Sequence, residues 1–93
     1  MEIKHIQERK ALLALNDEIQ IGELLYQIAD GIMVISYTEV EPHYRGNSIA
    51  ESLVLKAIEM AQEQQLLVDP QCSYAVAVFE RYPEHKAMLV ASK

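Results

Sequence analysis

Apolar positions follow a strand-like period up to Val40 and a helical one beyond Gly46. Ala11-Leu-Leu-Ala-Leu15, closed by Asn16-Asp17, predicts a short buried strand and a turn. From Ile19 to Ile28, period-two spacing places Ile19, Ile21 and Leu25 on one face and Leu24, Tyr26 and Ile28 on the other. Asp30-Gly31 interrupts that run before Ile32-Met-Val-Ile35 resumes it, and Asp-Gly between apolar extended runs predicts a hairpin, because both central residues need positive φ. Ile19 to Ile28 is expected to pair with Ile32 to Val40. Gly22 predicts a bulge or a close approach. Glu2 to Gln7 alternates poorly, which leaves a short edge strand or a loosely held end.

After the change of period, Ile49, Ala50, Leu53, Val54, Ala57, Ile58 and Ala61 recur at three- and four-residue steps, with Glu51, Lys56, Glu59, Gln62 and Glu63 opposite them. This predicts an amphipathic helix over Ile49 to Gln64, about five turns long and lying on a sheet. Leu66-Leu-Val68 reads as a short buried strand. A helical crossover reaches it, so it should run near-parallel to its neighbour, and Asp69-Pro70 should end it. From Cys72 to Glu80 the spacing leaves helix and strand both open. Tyr82-Pro83 breaks whichever forms, and His85 to Val90 should pack on the core through Met88, Leu89 and Val90.

A length of 93 residues sets a single domain, 1–93, with one modest core. A chain 51% hydrophobic and 24% charged is globular in composition, which excludes a disordered chain. The net charge of −6 argues against nucleic acid, whose phosphates need a basic face. No long apolar run follows the N-terminus, so neither a signal peptide nor a membrane span is expected, and the expected location is cytoplasmic. The single cysteine, Cys72, forms no internal disulfide, and His5, His43 and His85 lack metal-ligand spacing, so no metal site is expected.

The chemistry concentrates between Tyr37 and Lys56, where a strand, a loop broken by Pro42 and a helix follow one another. The first turn of a helix offers unpartnered amides and the positive end of the dipole, which suits a phosphate. Gly46 permits close backbone approach, Arg45 adds a positive charge, and Ser48 and Ile49 offer amides. Two plainer readings stay open: an ordinary strand-to-helix connection, and a capping box, Ser48-Ile-Ala-Glu51, in which Glu51 satisfies the helix start without a ligand.

Thr38-Glu39-Val40, Arg45-Gly46-Asn47-Ser48-Ile49-Ala50 and Pro70-Gln-Cys72-Ser-Tyr74, with Arg81-Tyr-Pro-Glu84 behind them, together resemble the small single-domain branch of the GNAT N-acetyltransferase superfamily. The resemblance covers almost the whole chain. It implies an α/β (α+β) fold: a mixed, mostly antiparallel sheet, one long helix after the central loop, and a shorter C-terminal helix from Cys72. The superfamily's cofactor loop is written Q/R-x-x-G-x-G/A. Arg45 and Ala50 match its ends, while Ser48 stands at its first glycine. Ser48 keeps its amide, so the cradle survives if this position does not require positive φ. The branch usually has His-Thr before its Val where this chain has Tyr37-Thr38, which removes a possible proton acceptor.

What the resemblance implies is acetyl-coenzyme A with its pyrophosphate on the amides of Arg45, Gly46, Asn47, Ser48, Ile49 and Ala50, and its pantetheine along the strand ending at Val40. The thioester would reach toward Cys72, suggested in this branch as an acetyl acceptor, whereas larger members let an amine attack directly. The positive end of a helix starting at Cys72 would favour the thiolate nucleophile; a buried, inert sulfur is the alternative. Tyr74 is the candidate proton donor to the leaving thiolate, against a packing role. Glu39 as a base and His43 as an acceptor-site residue are weaker candidates. The expected function is acetyl transfer to an amine, directly or through Cys72, with activity weakened by the changes at Tyr37 and Ser48. The alternative is a non-catalytic coenzyme A-binding or protein-interaction module. Neither the acceptor amine nor the oligomeric state is encoded in a recognisable segment.

Overall fold

The computed structural model describes residues 1–90; residues 91–93, the end of the expected domain, lie outside them. Strands β1 (Glu2–Ile6), β2 (Ala11–Asn16), β3 (Ile19–Ala29), β4 (Ile32–Val40) and β5 (Leu67–Pro70) form one sheet in that order. The first three pairings are antiparallel and β4–β5 is parallel. Helix α1 (Ile49–Glu63) is the crossover between β4 and β5, and α2 (Ser73–Arg81) follows β5. This is the mixed, mostly antiparallel architecture that the hydrophobic pattern and the resemblance predict.

Local chemistry sets the hairpins. Asp30 and Gly31 both adopt positive φ, 55° and 75°, inside the Ala29–Ile32 pair, as a two-residue turn matched to strand twist requires. Asp17 and Glu18 do the same between Asn16 and Ile19. The Glu2 to Gln7 stretch resolves into an edge strand.

Two irregularities in the sheet reshape its faces. The register of β2 on β3 shifts from Ala14↔Gly22 to Leu15↔Gln20, so Ile21 is an extra residue. A bulge rotates the strand locally. Ile21 consequently joins Leu24 and Tyr26 in the core while Ile19 stays 65% exposed, which corrects the simple two-face expectation. Gly22 is also a close approach, because a Cβ there would lie 3.3 Å from Glu39 O, Ile49 Cγ2 and Leu53 Cδ1. In β4, Leu25↔Tyr37 is followed by Tyr26↔Ile35, which leaves Ser36 unpaired. Pairing with β5 covers only Ile32 to Ile35, capped by Gln71 N–H donating to Ile35 O at 3.0 Å. Among the described residues, no strand lies beside the outer edge of β4 from Ser36 to Val40.

Helix α1 seals one face of the sheet. Leu53, Val54, Ala57 and Ala61 are fully buried against Leu12, Leu24, Met33, Ile35 and Val68, a core continued by Ala75, Val78 and Phe79 of α2. The helix ends at Glu63, one residue before the expected end, with Gln64 as its C-cap. Strand β5 runs through Asp69-Pro70 instead of stopping before them; at its last position Pro70 needs no N–H. Met88 and Leu89 of the tail pack against the core as expected, while Val90 is held by its backbone, its N–H donating to Val68 O at 3.0 Å.

Candidate functional site at the start of α1

The strand-loop-helix junction carries the most distinctive backbone. Pro42–Tyr44 makes a 3-10 turn after β4, and the Glu41 carboxylate holds its start by accepting from His43 N–H at 3.0 Å. That hydrogen bond is the main reason the Glu41 carboxyl sits below its ordinary pKa. Gly46 then takes φ 87° with open space where a Cβ would stand. Ser48, the residue before α1, takes φ 62° and makes no side-chain cap. The position therefore does adopt the left-handed region that the glycine of the superfamily motif would occupy without strain.

The capping box does not form. Glu51 turns away from the helix start, accepting from Arg81 Nη1 at 2.8 Å and from the Tyr82 hydroxyl. That contact raises the Tyr82 pKa. Among the described residues the amides of Gly46 to Glu51 have no acceptor, so six consecutive N–H groups stand free at the positive end of a 15-residue helix. All of these residues except Asn47 line an open cavity of about 290 Å3, with Val40, Tyr44, Arg45, Tyr74 and Arg81. Arg45 is anchored beside it, its Nε donating to Val40 O at 3.2 Å.

Of the sequence-predicted site residues, the cavity brings together Val40, Arg45, Gly46, Ser48, Ile49, Ala50 and Tyr74. Asn47 is not in its wall; its side chain donates to Tyr44 O at 3.2 Å. Cys72 lies outside the wall too, half-buried at the residue preceding α2, with Sγ 3.3 Å from Thr38 Oγ1. Since β4 and β5 have already parted there, this contact spans the opening between β4 and the start of α2. Tyr37, at the position of the branch's histidine, donates its hydroxyl to Glu39, which raises the phenol pKa above its ordinary 10.0. A phenol so held is a poor proton acceptor at neutral pH. His43 is paired with Glu41 at 3.2 Å on the surface. Sequence reasoning gave no site role to Tyr44 or Arg81. Tyr44 stands in the loop directly before Arg45, where a packing aromatic carries no distinct signal, and Arg81, quoted only as part of the resemblance, reaches the cavity from the end of α2, which the tertiary fold places.

A second open cavity, about 280 Å3, lies where β3 begins and β4 ends, and three carboxylates, Glu23, Glu39 and Glu41, line it. Among the described residues no group of His, Cys, Asp and Glu has metal-binding geometry, and no helix is long and apolar enough to cross a membrane.

The profile of the family described as GCN5-related N-acetyl-transferase matches residues 11–88. The chain belongs to this family. The GCN5-related fold is equally plain in solved structures. A GCN5-like acetyltransferase candidate from Staphylococcus aureus superposes with a TM-score of 0.75 at 20% identity, covering 99% of this chain and 90% of that one. The ribosomal-protein-S18-alanine N-acetyltransferase of Escherichia coli gives 0.69 at 13%, covering 83% and 54%. The PaiA N-acetyltransferase of Thermoplasma acidophilum, solved in complex with coenzyme A, gives 0.64 at 19%, covering 80% and 48%. The chain spans about half the length of these last two. At such identities the likeness establishes the fold. No curated protein sequence matches the chain.

Proposed function

We propose that the chain binds acetyl-coenzyme A at the start of α1 and transfers the acetyl group to an amine. The observation that carries this reading is the row of free amides from Gly46 to Glu51 at the edge of a cavity that Arg45, Gly46, Ser48, Ile49 and Ala50 line, in a chain of acetyltransferase family. Pyrophosphate oxygens accept from these amides at the helix's positive end. Pantetheine lies along the unpaired edge of β4 between Ser36 and Val40, where strand N–H and C=O groups meet its amides much as an added strand would. The acidic cavity beside Glu23, Glu39 and Glu41 favours a cationic amine as acceptor.

Two routes share this geometry. In direct transfer the neutral amine attacks the thioester carbonyl, a C–N bond replaces the C–S bond, the nitrogen gives its surplus proton to solvent, and coenzyme A leaves as thiolate, with the exposed Tyr74 phenol as its proton donor. In the second route the Cys72 thiolate attacks first, expelling coenzyme A as thiolate and leaving an acetyl-cysteine, and the neutral amine then displaces the cysteine thiolate while its nitrogen gives the surplus proton to solvent. The Thr38 hydroxyl, 3.3 Å from Sγ, donates to the sulfur whenever it is anionic. A non-catalytic coenzyme A-binding module is the second reading. It is favoured by the Tyr37 phenol, which is committed to Glu39 where the branch has a histidine.

Intact-protein mass spectrometry after incubation with acetyl-coenzyme A separates the routes. An added acetyl that disappears in Cys72→Ala, together with loss of turnover, supports the cysteine route. Turnover of a polyamine by Cys72→Ala supports direct attack. Binding without turnover of any amine, cationic or neutral, would leave the module.

A further inference from the structure

The cavity at the start of α1 has a second cation in its wall, contributed from the far end of α2. Arg81 is the last residue of α2 and lines this cavity together with Arg45. Its orientation is fixed, because Nη1 donates at 2.8 Å to Glu51, whose side chain is only 17% exposed. The other carboxylate oxygen of Glu51 accepts from Tyr82, so both oxygens are occupied. Arg81 itself remains 67% exposed at its side chain, and its guanidinium carries five N–H donors, of which one is used here.

This arrangement resolves an electrostatic conflict. Glu51 sits in the first turn of α1 and in the cavity wall, so an unpaired carboxylate there would repel a phosphate approaching the free amides. Arg81 cancels that charge and still presents donors to the cavity. Resting on the reading of this site as a coenzyme A site, we infer that Arg81 is a phosphate-binding residue of the cofactor site, held in place by Glu51 and Tyr82. A guanidinium suits this task better than an ammonium, since its planar fork bonds a carboxylate on one side and a phosphate on another.

Calorimetric titration with coenzyme A, 3′-dephospho-coenzyme A and pantetheine tests the assignment. Arg81→Gln should weaken coenzyme A about tenfold, the effect of one charge-assisted hydrogen bond on a partly exposed group. It should also flatten the salt dependence of binding, and Arg81→Lys should recover part of the loss. Adding Glu51→Gln to Arg81→Gln should restore affinity severalfold by removing the uncompensated carboxylate, and this double variant covers the case in which the single one folds poorly. A loss shared by coenzyme A and its dephospho form assigns Arg81 to the pyrophosphate, and a loss confined to coenzyme A assigns it to the 3′-phosphate. Pantetheine should be indifferent to the substitution. If the parent binds coenzyme A and Arg81→Gln binds it equally well with the same salt dependence, the assignment is wrong while the site stands. If the parent binds none of the three, both fall.

Discussion

Replacing Ser48 by glycine should stabilise the protein. Ser48 holds φ 62° with no side-chain hydrogen bond at the helix start, so its side chain contributes strain and no compensating contact. An L-residue in the left-handed region costs roughly 1–2 kcal/mol. Glycine removes that cost but brings a more flexible unfolded chain, worth roughly 0.5–1 kcal/mol. The difference favours Ser48→Gly by about 0.5–1 kcal/mol, and in a chain of this size the thermal midpoint should rise by about 2–6 °C. Ser48→Ala should be near neutral, because it keeps the backbone strain and loses no hydrogen bond, whereas Ser48→Val should lower the midpoint through its β-branch. The backbone carbonyl that accepts from Ser52 N–H and Oγ, both at 3.0 Å, is retained in every variant. Thermal unfolding followed by circular dichroism decides the matter. A glycine variant no more stable than the alanine one would refute the claim that this position is strained.

Leu53 is fully buried between α1 and the sheet, so Leu53→Ala should cost about 2–5 kcal/mol in urea denaturation, a large share of the ~5–15 kcal/mol typical of a domain; a loss under 1 kcal/mol would mean that α1 is not seated there. The folded Glu41 carboxyl has a lowered pKa, so its contribution to stability is present above the unfolded pKa and is lost as pH falls through the folded one. Glu41→Gln should accordingly flatten the acidic limb of a pH–stability profile below the ordinary glutamate pKa, and an unchanged limb would count against the hydrogen bond to His43. Gly46→Pro removes one of the free amides at a residue with φ 87°, which proline cannot adopt, so coenzyme A binding should disappear. Arg45→Ala should weaken binding in a salt-dependent way, and calorimetry would expose a phosphate site placed elsewhere if both variants bind like the parent.

What the sequence made legible was the chemistry that acts over a few residues. Asp30-Gly31 encodes its turn through two positive φ values, and the apolar period of α1 encodes its buried face. Gly22 signalled crowding, since a Cβ there would press to 3.3 Å from Leu53 and Ile49 and make them give way. The bulge at Ser36, which parts β4 from β5, carries no signal of this kind, because it follows from register against two neighbouring strands. The same limit explains Glu51. Its spacing from Ser48 spells a capping box, yet partners 30 and 31 residues away, Arg81 and Tyr82, take its carboxylate. The resemblance, not the apolar spacing, put Cys72 at the start of a helix, and its contact with Thr38, 34 residues distant, required the closed fold.

The central claim is that the amides at the start of α1 receive the phosphates of coenzyme A. Two-dimensional amide NMR during titration with coenzyme A reads those N–H groups one by one. The largest shifts are expected at Gly46, Asn47, Ser48, Ile49 and Ala50, moving downfield as they gain acceptors, with smaller shifts along β4 to Val40. Saturating coenzyme A that leaves these amides unmoved, or that shifts a different part of the sheet, would contradict it.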